Sequence, residues 1–163
     1  MDLKNYSMED LILAAVKSEV EARDIYRNVS LLVNNAFIRE RMSFLADEEE
    51  KHRHFLLDVY GKRFPGKEPV LPDVTPVPLP EMKAPGEGVP LSDVFQSAML
   101  AEKASSDFYS SMAELFEEKE IRATLAYFAS MELSHYKILE AEKEVLENFE
   151  DFDTSWPMMH VGP

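Results

Sequence analysis

The sequence predicts an all-α protein: a four-helix bundle made of two helical hairpins joined by a long proline-rich crossover. Three observations predict it. Long segments of good helix formers on both sides of the chain carry apolar residues at intervals of three and four. Between them, eight of the ten prolines fall between Gly61 and Pro90, where so many missing backbone donors forbid a helix. The two helical halves also repeat each other at an offset of 83 residues. At 163 residues and 45% apolar content, one domain with one substantial core is expected.

The first helix is expected over 8–33, opened by Ser7 with Asp10 three residues later in the manner of a capping box. Asn34 and Asn35 separate it from a second helix over 36–60. Residues 61–90 form the connector, and the third and fourth helices follow over 91–116 and 120–147, so the bundle spans 1–147. Two hairpins joined by one long crossover is the connectivity of the ferritin-like bundles. The alternative is a plain linker between two independent hairpins. The tail, 148–163, reads as short and irregular. Its Trp156, Met158 and Met159 would cover one end of the bundle or an oligomer interface, or else belong to a frayed terminus.

The formal net charge of −14 repels phosphate backbones and anionic headgroups, so nucleic acid and membrane surfaces are not expected partners. No apolar run approaches a membrane span, and Met1 to Asp10 carries acidic groups where a signal peptide would be basic and then apolar. The expected location is the cytoplasm. The absence of cysteine removes disulfides, thiolate nucleophiles, zinc ribbons and iron–sulfur ligands. Any metal must be held by carboxylate and imidazole.

Such a set is present. The second helix carries Glu49 and His52, the fourth carries Glu132 and His135, and each pair is a Glu-x-x-His on one helix face. The first and third helices add Glu19 and Glu102. Glu49 follows Glu19 by 30 residues and Glu132 follows Glu102 by 30; every member of the second set lies 83 after its counterpart. Asp10 and Asp93, Ala15 and Ala98, Tyr26 and Tyr109, Leu32 and Leu115, and Ile38-Arg39 and Ile121-Arg122 share that offset, the mark of an internal duplication. Each Glu and its facing Glu-x-x-His are equidistant from their hairpin turn. At about 1.5 Å per residue they sit roughly 22 Å along the hairpin, near mid-bundle.

Periodicity aims these side chains inward. The stripes run Leu11, Ala15, Glu19, Ala22, Tyr26, Val29 and Val33; Met42, Leu45, Glu49, His52, Leu56 and Val59; Phe95, Ala98, Glu102, Ser105, Tyr109, Met112 and Phe116; and Ile121, Leu125, Phe128, Glu132, His135, Leu139 and Leu146. Burying four unpaired carboxylates costs several kcal/mol each, and two divalent cations balance them. Four carboxylates with two imidazoles suit iron or manganese, and two iron ions are the expected cofactor, with a manganese or mixed pair as the alternative. Chemistry is assigned to the metal pair, with no separate catalytic residue. Tyr26 and Tyr109, two turns after their glutamates, either hydrogen-bond a ligand carboxylate or pack as core aromatics. Glu48, Glu50 and His54 read as surface residues beside the site, and His160 as a surface histidine of the tail.

As a set these residues resemble the di-iron domain of the rubrerythrin family, in the ferritin-like superfamily, over roughly residues 1–147. The resemblance implies that Glu49 and Glu132 bridge the metals, while Glu19 with His52 and Glu102 with His135 complete the two sides. It also implies reduction of hydrogen peroxide by a homodimer. Classical members carry a cysteine-ligated rubredoxin domain that supplies electrons; without cysteine, the donor must be a separate protein. They also carry a further glutamate three residues after the third-helix ligand, where Ser105 stands here, which puts a redox-linked ligand exchange in doubt.

The expected function is therefore a di-iron oxidoreductase that passes electrons to peroxide or dioxygen. The competing readings are an iron-binding, ferroxidase or storage protein, a non-catalytic bundle stabilised by metal, and a substrate hydroxylase.

Overall fold

A capping box opens the first helix: the Ser7 side chain accepts from the Asp10 amide at 3.1 Å, and the Asp10 carboxylate accepts from the Ser7 amide at 3.3 Å. Ser7→Ala is therefore expected to lower the unfolding free energy by about 1 kcal/mol, read from denaturant melts. The computed structural model describes residues 1–75, 77–86 and 88–155, with side chains as far as residue 148. Four helices result: α1 (Met8–Leu32), α2 (Ala36–Arg63), α3 (Leu91–Ala113) and α4 (Lys119–Ser155). There is no strand among the described residues, and none of these helices is long and apolar enough to cross a membrane.

α1 packs along α2, and α3 along α4, as antiparallel hairpins; α2 and α4 meet across the bundle. This is a ferritin-like four-helix bundle. Asn35 is more than a turn residue: its side chain accepts from the amides of Phe37 and Ile38 and so caps α2.

The crossover is pinned along its length, which rules out a plain linker between independent hairpins. Lys67 pairs with Glu9 of α1 at 2.6 Å, and Val77 is buried in the core. Lys83 then pairs with Asp93 of α3 at 2.9 Å, and its amide donates to the Ser97 hydroxyl.

Helix ends depart from the sequence reading in three places. α2 continues through Gly61 to Arg63, where the connector was expected to begin. α3 ends at Ala113 rather than 116, because Leu115 and Phe116 turn tightly back onto Met112 and Ala113 carbonyls. α4 runs on to Ser155, so 148–155 is helical, not irregular. No glycine or proline interrupts Lys119 to Ser155, and Pro157 is the next breaker. Trp156, Met158, Met159 and His160 lie outside the described residues.

Two apolar clusters fill the bundle. One gathers Leu11, Ile12, Leu56, Phe108, Met112 and Leu125; the other gathers Val29, Ile38, Met42, Leu45, Phe95 and Leu139. On every helix the buried glutamate lies between members of the two, which places all four carboxylates at mid-bundle.

Candidate metal centre

The six side chains meet because each occupies the buried stripe of its helix at the same depth. Glu19 is 3% exposed, and Glu49, His52, Glu102, Glu132 and His135 are 1–2% exposed. Nδ1 of His52 lies 3.1 Å from Glu132 Oε1, 3.2 Å from Glu49 Oε2 and 3.5 Å from Glu19 Oε2. Nδ1 of His135 lies 3.1 Å from Glu49 Oε1, 3.1 Å from Glu132 Oε2 and 3.7 Å from Glu102 Oε2. Glu49 and Glu132 thus offer one oxygen to each imidazole. Two four-residue sets result, Glu19-Glu49-His52-Glu132 and Glu49-Glu102-Glu132-His135, and they share those two carboxylates. The 83-residue repeat of the sequence becomes an approximate two-fold relation at the site.

Both oxygens of Glu49, Oε1 of Glu132, Nδ1 of His52 and Nε2 of His135 are buried without a hydrogen-bond partner. Leaving such groups unmatched costs free energy that protein packing here does not recover. Oxygen and nitrogen donors converging from four helices fit two divalent cations of the first transition row.

The electrostatics agree. Burial pushes the Glu19 carboxyl up to about 8, and the neighbouring charges of Glu132 and Glu49 add to it. Burial likewise raises Glu102, with Glu49 and Glu132 contributing. Burial opposes a charge on His52, yet the carboxylates of Glu132, Glu19 and Glu49 within 3.5 Å outweigh it and hold the ring up to about 12. His135 is raised in the same way by Glu49, Glu102 and Glu132 against its own burial.

A metal must displace these protons. Glu19 holds one in the folded, metal-free chain up to about pH 8, and the imidazoles hold theirs through the whole neutral range. Metal affinity is therefore expected to rise with pH between 6 and 8, with roughly two or more protons released per chain. Calorimetric titration in buffers of different ionisation heat measures that release; a pH-independent affinity would contradict it.

The tyrosines cross the bundle. The Tyr26 hydroxyl of α1 donates to Glu102 of α3, and the Tyr109 hydroxyl of α3 donates to Glu19 of α1. Each therefore serves the glutamate of the other hairpin, and both rings are also core aromatics at 1% exposure. Such a donor orients a carboxylate without touching the metal. Tyr26→Phe is expected to weaken metal binding about tenfold while leaving the fold intact, which a chelator competition titration checks.

Neighbouring acidic residues and His54 stand outside the centre. Glu48 pairs with Lys51. Glu50 bridges Arg53 and Arg23 at 2.7 Å each, and those hydrogen bonds, against a smaller effect of burial, hold its carboxyl down at about 2. His54 is exposed, with Nδ1 2.7 Å from the Glu50 carbonyl. Ser105, one turn after Glu102, is only half-buried; the buried serine of α3 is Ser106, which donates to the Ala129 carbonyl at 2.7 Å. Sequence reasoning missed the contact between Phe128 and the His52 ring, whose centroids lie 4.0 Å apart. Phe128 was legible only as one apolar residue of the α4 stripe.

Comparison with known proteins agrees with this architecture. No curated protein matches the chain. Among solved structures, a hypothetical protein from Pyrococcus furiosus is similar, with a TM-score of 0.80 and 32% sequence identity over 91% of this chain and 95% of that one. The rubrerythrin family model matches residues 10–143, which contain all six convergent side chains and both tyrosines. With that match over most of its length, the chain belongs to the rubrerythrin family.

Proposed function

We propose that this protein is a di-iron oxidoreductase that reduces hydrogen peroxide or dioxygen with electrons from a separate donor protein, acting as a cytoplasmic homodimer. The observation that carries the reading is the pair of shared carboxylates: Glu49 and Glu132 each face both imidazoles, as a bridged pair of ions requires. Bound iron supplies one-electron redox change at each ion and polarisation of an O–O bond. The chain does the rest. Glu49 and Glu132 would be shared by the two ions, with Glu19 and His52 holding one side and Glu102 and His135 the other. The Tyr109 and Tyr26 hydroxyls fix the orientation of Glu19 and Glu102. Burial of all six ligands keeps bulk water and large molecules away, which suits an oxidant of two heavy atoms. Overall, one peroxide, two electrons and two protons give two waters.

The test is peroxide consumption by the iron-loaded protein with an artificial one-electron donor, beside native mass measurement. Turnover by a dimer supports the proposal. An iron-loaded protein that forms a large shell, takes up further iron and leaves peroxide untouched would overturn it in favour of storage. Tight iron binding with neither activity would leave a metal-stabilised bundle.

A further inference from the structure

The two halves of the bundle repeat each other at the ligands but differ beside one imidazole. On the His52 side, Phe128 lies against the ring, centroids 4.0 Å apart with 32° between the planes. Phe128 is itself braced edge-on by Phe55 at 5.2 Å and Tyr109 at 5.7 Å. Tyr109 also meets His52 edge-on at 6.4 Å and donates to Glu19. One aromatic cluster thus fixes both unshared ligands of the first position.

The second position lacks this support. At the offset of 83, Leu45 stands where Phe128 stands and Ile138 where Phe55 stands. Leu45 is fully buried, so the corresponding core position on α2 carries an aliphatic side chain in place of a ring. Among the described residues, the ring stacked on His135 is His52 itself, 5.9 Å away, and no phenylalanine braces it. Tyr26 still holds Glu102, so the difference between the halves falls on the imidazole.

A ligand already held in its binding orientation loses less freedom when the ion arrives, and groups that orient a metal-binding histidine commonly change affinity by about tenfold or more. We infer that the two metal positions are unequal: the Glu19–His52 position fills first and more tightly, and Phe128 is the positioning residue that makes it so. The inference rests on the two-ion reading of the site but not on any redox activity.

The test is a titration of metal-free protein with Co²⁺, whose absorption bands report each ion as it binds. The paramagnetically shifted imidazole N–H signals show which histidine is ligated first. Wild type is expected to bind in two steps separated by about tenfold, with the His52 signal appearing first. Phe128→Leu is expected to weaken the first step about tenfold and leave the second. The exchange variant, Phe128→Leu with Leu45→Phe, keeps total side-chain volume and is expected to reverse the order of filling. Two equal steps in wild type would overturn this inference alone. So would unequal steps that both variants leave within about twofold, or an equal weakening of both steps, which marks general damage to the core. No cobalt uptake at all would overturn the two-ion reading with it. If Phe128→Leu does not fold, the order of filling in the exchange variant decides.

Discussion

Glu49→Gln combined with Glu132→Gln is expected to abolish metal uptake: the two ions per chain expected of the wild type fall to none, measured by elemental analysis after purification without chelators. These two carboxylates belong to both candidate sets, so the double change removes two of the three carboxylate charges from each set. Glutamine keeps the shape of glutamate, and the surrounding packing is therefore retained. The same variant also carries an expectation for the metal-free protein. Glu49 and Glu132 are 1% exposed and face the protonated rings of His52 and His135 in the metal-free chain, so removing both charges is expected to lower the metal-free stability. Loss of metal in a variant that still folds points to shared carboxylates that hold the cations. Retention of both ions by the double variant would sink the assignment of the shared carboxylates.

Metal loading itself is expected to produce the largest change in stability. An ion that binds only the folded chain contributes about 4 kcal/mol when its free concentration is a thousandfold above its dissociation constant. Two ions contribute about twice that. For a chain of this size, each kcal/mol moves the midpoint of thermal unfolding by roughly 2–4 °C, so saturation with Fe²⁺ or Mn²⁺ is expected to raise Tm by roughly 15–30 °C. A chelator should reverse the shift, and the Glu49→Gln, Glu132→Gln protein should show none of it. Scanning calorimetry with and without metal measures both. A wild-type shift of only a few degrees would mean that the buried carboxylates are neutralised by protons and scarcely prefer a metal.

The pH dependence above bears on the same balance. Protons on Glu19 and the imidazoles already neutralise part of the buried charge, so the gain from metal is smallest at low pH and grows as pH rises towards 8. Thermal shifts measured at pH 6 and pH 8 should differ in that direction.

The sequence by itself determined the four helices, their pairing into hairpins and the convergence of six side chains. Those features are periodic or local. A buried face must recur every 3.6 residues, a proline run cannot be helical, and two equal spacings about two turns bring carboxylates to one height. The extended α4 was also readable in principle, since no breaker occurs before Pro157, but charge and apolarity in 148–155 did not declare a helix.

What passes between helices was decided by the tertiary structure. Spacing placed Tyr26 two turns from Glu19, yet its hydroxyl reaches Glu102 in the other hairpin, because a residue's partner across a bundle depends on helix rotation and distance rather than on sequence separation. Val77 holds the crossover to the core, although nothing in its proline-rich surroundings distinguishes it from the exposed Val70 and Val74. Phe128 and Leu45 read alike as apolar members of their stripes; only the packed core sets one ring against His52. Periodicity specifies which face of a helix is buried, and the close packing of four such faces selects which atoms on them meet.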